Sequence, residues 1–165
     1  MKKYTYDYPH PAVTADCIAL SPEGGEMHVL LVQRKNEPFK GHWAFPGGFM
    51  KIDEDAPAAA RRELREETGI AAGQLMQIGA YTRPDRDPRE RVISIAFAAY
   101  FDKRPAVTAA DDAAEARWFP VNALPPLAFD HAEMLRDVQE SYLLLMVFVV
   151  FAFCFIIIVI ETNFV

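Results

Sequence analysis

The sequence predicts an α/β domain, and three observations carry that prediction. Branched and apolar strand-like runs alternate with helical segments from residue 12 to residue 142. A length of 165 residues leaves room for one domain of ordinary size, with a core large enough to fold without staples. A loop punctuated by glycine and proline feeds a segment that carries both helix-start and helix-stop signals.

Taken in order, Ala12 to Leu20 and His28 to Lys35 are rich in branched and apolar residues, and "SPEGGEM" between them reads as the turn of a hairpin. "NEPFKGHWAFPGGFM" follows, a loop broken by Pro38, Gly41, Pro46, Gly47 and Gly48 that leads into a short strand ending near Lys51. Asp55 is a good helix cap, Pro57 is tolerated in a first turn, and Gly69 suits the position past the last turn. A helix is therefore expected from Ala56 to Thr68. Leu75 to Tyr81 and Arg91 to Phe101 read as strands flanking "TRPDRDPRE", and Glu115 to Phe119 as a further strand. Asp130 to Tyr142 closes the domain as a helix, and "AVTAADDAAEA" is a surface connection without repeats.

The domain is expected to span residues 1–142, with 143–165 as a separate hydrophobic segment. Leu143 to Ile160 is an unbroken apolar run of 18 residues. As a helix rising about 1.5 Å per residue it would reach roughly 27 Å, close to a bilayer's hydrocarbon thickness. It reads as a membrane anchor, as a buried helix packing on the domain or on a second copy in a homodimer, or as a terminal sequence foreign to the domain. Glu140 and Glu161 flank it with Arg136 as the nearby cation, so the usual basic orientation signal is missing.

A formal charge of -6 gives no broad basic field for a nucleic-acid backbone, so duplex nucleic acid is not expected as a partner. Cys17 and Cys154 offer neither metal-ligand spacing nor a disulfide framework, which fits a reducing, cytoplasmic setting. "MKKYTYDYPHPAV" lacks the apolar stretch of a secretion signal.

The chemistry is concentrated in the expected helix. At 3.6 residues per turn Glu63, Glu66 and Glu67 share a sector of roughly 100°, while Arg61 and Arg65 point elsewhere. Glu63 and Glu67 form a like-charge pair four residues apart, which costs a few tenths of a kcal/mol. A hard divalent cation such as Mg²⁺ or Mn²⁺, which prefers carboxylate and carbonyl oxygens and bridges to phosphates, would offset the repulsion. The alternative is an ordinary charged helix face.

The wider pattern decides between them. Gly48, Glu54, Arg62, Glu63, Leu64, Glu66, Glu67, Gly69 and Ile70 match G-x5-E-x7-R-E-U-x-E-E-x-G-U, with U apolar, at every fixed position. This resembles the Nudix box, and "HWAFPGG" before it and "EARWFPVNALP" after it are compatible with a Nudix domain. The resemblance implies an α/β/α sandwich with a mixed sheet, and hydrolysis of a nucleoside diphosphate linked to another moiety. It implies that Glu63 and Glu67 are the principal metal ligands, with Glu66 a further ligand or water-orienting group. A backbone carbonyl at Gly47 or Gly48 would add another oxygen. Arg62 and Glu54 would form a supporting ion pair that aims the catalytic glutamates. The water's proton would pass to one of the box glutamates, with Glu115 or an acid between Asp85 and Glu90 as further candidates.

"RPDRDPRERVISIAF" resembles a segment of the bacterial ADP-ribose pyrophosphatase group, although Glu90 stands where a glycine is common. Arg83, Arg86 and Arg89 could donate paired hydrogen bonds to phosphate or ribose oxygens, or form surface ion pairs with Asp85 and Asp87. Trp43 and Phe45 could stack on a base or serve as packing beside the Pro-Gly turn. Phe129 and His131 near the closing helix invite the same two readings. Three functions compete: a hydrolase of ADP-ribose or a related nucleotide sugar, a hydrolase that cuts nucleoside triphosphates to monophosphates, and a domain that senses a nucleotide without cutting it.

Overall fold

The fold was analysed in a computed structural model that describes residues 4–108 and 114–141. The elements are β1 (Ala12–Glu23), β2 (Glu26–Gln33), β3 (Trp43–Ala44), β4 (Gly47–Phe49), α1 (Ala56–Thr68), β5 (Met76–Tyr81), β6 (Val92–Tyr100) and β7 (Ala116–Pro120). Residues 131–141 are helical and are called α2. The segment Leu143 to Ile160, the end of the closing helix at Tyr142 and part of the 106–116 connection lie outside the described residues. Among the described residues, no helix is long and apolar enough to cross a membrane.

The strands join in a mixed sheet of order β3-β2-β1-β6-β5, with β4 added on β1 and β7 on β2. β1 and β6 run parallel over Ala12 to Leu20, and the other pairs are antiparallel. β1 is central and buried from Thr14 to Ser21, which explains why its sequence is a continuous apolar run rather than an alternation. The first hairpin is tighter than the sequence suggests. Glu23 pairs with Glu26, leaving a two-residue turn at Gly24 (φ 61°) and Gly25 (φ 85°), the left-handed geometry that matches strand twist. The pairing therefore continues through most of "SPEGGEM". β3, two residues inside the expected loop, is also added; it is held on β2 by Gln33 opposite Trp43.

The predicted helix has the predicted bounds. Asp55 Oδ1 accepts from the Ala58 N–H at 2.8 Å, and Gly69 (φ 75°) donates its N–H to the Arg65 carbonyl. Ala59, Ala60 and Leu64 of α1 are buried in one core cluster with Ala15, Cys17 and Ala19 of β1 and Leu30 of β2. Small residues on both surfaces bring the helix close to the sheet. That packing fixes the rotation of α1, and with it the face on which Glu63 and Glu67 stand.

β1 changes partner along its length. Thr14 to Asp16 pair with β4, whereas Leu20 to Glu23 pair with β2. The two partners diverge on the same side of β1, and the cleft described next opens beside Asp16. The chain divides into two compact units, Met1–Ala132 and Glu133–Val165. Every residue of the candidate site belongs to the first. In the second, Met134, Leu135 and Val138 are the fully covered positions of the helix.

Candidate active site

The acidic side of the site is built on the Gly47–Gly48 pair. A Cβ at Gly47 would sit against Asp16 Oδ1 and 2.8 Å from the Ala15 carbonyl, and one at Gly48 would lie 2.6 Å from Glu63 Oε1. Glycine is required here by close approach, which lets β4 lie between β1 and α1 with carboxylates on both sides. The Gly47 N–H donates to Glu67 Oε2 at 3.1 Å. Burial pushes the Glu67 carboxyl up to about 8, against the Gly47 N–H, and the nearby Glu63 and Asp16 add to the rise. Burial also raises Glu63, which Arg62 opposes.

Arg62 organises the neighbouring acids. Its Nε and Nη2 donate to Glu54 at 3.0 and 2.6 Å, its Nη1 donates to Glu63 at 2.6 Å and Glu66 at 3.0 Å, and Nη2 also reaches the Phe49 carbonyl. Arg62 holds the Glu54 carboxyl down at about 2. The three helix glutamates of the box thus share a face but not a focus: Arg62 draws Glu63 and Glu66, while Glu67 turns to Gly47. Accordingly, no group of three or more His, Cys, Asp or Glu among the described residues is gathered to hold a metal ion. The donor set nonetheless suits a hard divalent cation. Glu63, Glu67 and Asp16 crowd one glycine pair, and every donor is oxygen.

A cleft of about 200 Å³ opens beside this cluster, lined by its members Asp16, Gly47, Gly48 and Glu67 and by a second group, Arg34, Arg86, Asp87, Arg89, Phe129 and His131. The arginines of the expected substrate loop separate there. Arg86 is buried and forms a two-pronged pair with Asp130 at 2.8 and 2.6 Å. Arg89 is pinned by Asp87 at 3.0 and 2.7 Å and lies over the rings of Phe49 and Phe129. Arg83, with its side chain 57% exposed, pairs with Asp85 and does not line the cleft.

Trp43 packs edge-on against Phe119, with ring centroids 4.6 Å apart, and is outside the cleft lining. Phe45 lines the cleft and stacks on His131 with ring planes 4° apart. His131 accepts the Phe45 N–H at Nδ1 (2.9 Å), and burial lowers its pKa, so it serves here as a neutral acceptor. Glu115 is paired with Arg117, away from the cleft. Asp16 and Arg34 are among the lining residues that the sequence did not mark. Asp16 is a buried acid within the apolar strand, accepting from the Ser94 hydroxyl, and an acid in such a run was the available signal. Arg34 directly follows the last residue of β2, and nothing local distinguished it from Lys35.

Compared with known proteins, residues 10–138 match the NUDIX domain. The chain belongs to the Nudix family. An ADP-ribose pyrophosphatase of Methanocaldococcus jannaschii is 44% identical over 137 residues, covering 83% of this chain and 78% of that protein. The ADPR-responsive transcriptional repressor NtrR of Acinetobacter baylyi is 34% identical over 79% of this chain, and the matched region spans 54% of the repressor. Among solved structures, the NUDIX domain of Shewanella oneidensis NrtR complexed with ADP ribose superposes with a TM-score of 0.77 at 28% identity, covering 83% of this chain and 94% of that one. With a cleft between acids and arginines and a complete box, this chain is a Nudix hydrolase.

Proposed function

We propose that this Nudix hydrolase cleaves the pyrophosphate bond of ADP-ribose, giving AMP and a sugar phosphate. The observation that carries the reading is the 44% identity to an ADP-ribose pyrophosphatase across 83% of the chain. The cleft supports it, since its lining combines acids with cationic side chains, as a metal-bound diphosphate requires.

The residues divide the work. Glu63 and Glu67, with a carbonyl of Gly47 or Gly48, would hold a divalent cation, Mg²⁺ or Mn²⁺. Bound there, such an ion neutralises pyrophosphate oxygens and lowers the pKa of water. Arg62, anchored by Glu54, sets the positions of Glu63 and Glu66. Glu66, half-exposed at the edge of this network, would be the box glutamate that accepts the water's proton. Arg89 keeps an Nη group beyond its pair with Asp87 for a substrate oxygen, and Arg86 acts through Asp130 by bracing the cleft wall.

A product screen with the full chain and Mg²⁺ tests the reading, with AMP and the other monophosphate products resolved by chromatography after incubation with ADP-ribose, other nucleotide sugars and nucleoside triphosphates. Preference for ADP-ribose, abolished by chelation, is the expected result. Preference for nucleoside triphosphates would overturn the substrate, and turnover of none, by a folded chain that binds ADP-ribose, would make it a sensor.

A further inference from the structure

Three arginines line the cleft, and their hydrogen bonds are spent very differently. Arg86 gives Nε and Nη2 to Asp130, and Arg89 gives Nε and Nη2 to Asp87. Arg34 gives only its Nε, to the Pro38 carbonyl at 2.8 Å, and both its Nη groups take no hydrogen bond among the described residues. A guanidinium is a fork suited to two oxygens of one anion, and this one presents an unused edge.

The surroundings hold that fork in place. Its main chain is tied at both ends, the Arg34 N–H to the His42 carbonyl and the Arg34 carbonyl to the Gly41 N–H. Its guanidinium carbon lies over the Phe129 ring, 4.8 Å from the centroid, a cation–π contact that holds the group in place. Phe129 has φ 52°, a left-handed conformation that an aromatic residue adopts at a cost, and such strain concentrates where a ligand site needs it. Burial and the neighbouring Arg89 disfavour the Arg34 charge, while Asp87, Glu67 and Asp16 support it.

We infer that Arg34, held over the ring of Phe129, binds a non-bridging phosphate oxygen of the substrate in the cleft that it lines together with Asp16, Gly47, Gly48 and Glu67. The inference rests on the nucleoside-diphosphate reading above and adds its anion clamp. Arg34 is a binding residue for the diphosphate, whichever group the diphosphate carries.

Calorimetric titration of the full chain in chelator, with ADP, adenosine and inorganic pyrophosphate as probes, tests it. Arg34→Gln should weaken ADP and pyrophosphate by at least about tenfold, as loss of a charge-assisted pair does, and leave adenosine within about twofold. Arg34→Lys should recover part of the loss, because charge is restored without the fork. The melting temperature of Arg34→Gln should stay within a few degrees of the parent, and Phe129→Leu should weaken ADP in the same sense but less. Equal weakening of ADP and adenosine, or of neither, would overturn the clamp. Arg34-dependent binding of pyrophosphate by a chain that ignores ADP-ribose would keep the clamp and discard the ADP-ribose reading.

Discussion

The two walls of the cleft are made in opposite ways. On the acid wall, Glu67 lines the cleft and comes from one helix of 13 residues with Glu63 and Glu66, which stand behind it outside the lining, and their partners Glu54, Gly47 and Gly48 precede that helix by fewer than twenty positions. On the cationic wall, Arg86 meets Asp130 across 44 positions, and Phe45 meets His131 across 86. Local sequence supplies most of the first wall, whose facing is then set by the packing of α1 on the sheet, whereas only the completed sheet brings the second together. The first wall should therefore tolerate tertiary damage and fail on local changes; the second should do the reverse.

The largest effect should come from the acid wall. Glu67→Gln keeps the shape and the bond from the Gly47 N–H but removes the charge, so turnover should fall about a thousandfold, roughly 4 kcal/mol in the barrier. Stability should move the other way. Because the folded Glu67 carboxyl sits at about 8, above its ordinary 4.5, its contribution is fully present below pH 4.5 and is lost as pH rises through about 8. In chelator, the parent's melting temperature should fall across that window, and Glu67→Gln should remove much of the fall. A parent profile that stays flat would mean that Glu67 is not buried as described.

Next in size is the cationic wall's own anchor. Asp130→Ala leaves Arg86 buried and unpaired, a loss of about 3 to 5 kcal/mol in denaturant unfolding. Replacing both partners with apolar residues of similar volume should recover most of that stability but not turnover. If the single and double variants are equally unstable, the pair is not the brace proposed.

Glu54→Gln should be intermediate, about 10- to 100-fold in turnover, because it loosens the residue that aims Glu63 and Glu66 without touching either. The drop should appear in kcat more than in overall stability, since the pair is near the surface. Comparable loss from Glu54→Gln and Glu67→Gln would erase the distinction between holding the cation and positioning its ligands.

This contrast also explains what could be read from the sequence. Asp55, Pro57 and Gly69 act through bonds within a few residues, so the helix bounds from Ala56 to Thr68 were fully legible. The parallel pairing of β1 with β6 joins residues about eighty apart, and no local pattern encodes it. Arg34 and Asp16 acquire their meaning only when β1 switches partners and opens the cleft. The same reasoning separates Arg83 from Arg89, which look alike in "RPDRDPRE" because the spacing of charges says nothing about which side of a turn faces inward.

The smallest effect therefore tests the finest distinction. Arg83 is more than half exposed and lies outside the cleft lining, so Arg83→Ala should change stability by less than about 0.5 kcal/mol and kcat/KM by less than about threefold. Arg89 lies over Phe49 and Phe129 inside the cleft, so Arg89→Ala should raise KM by about tenfold with a smaller change in kcat. Two neighbouring arginines with opposite outcomes would show that the tertiary wall, rather than the charge of the segment, sets substrate affinity. Equal losses would instead place the whole loop against the substrate, and the cleft would have to close over Arg83 when the diphosphate binds.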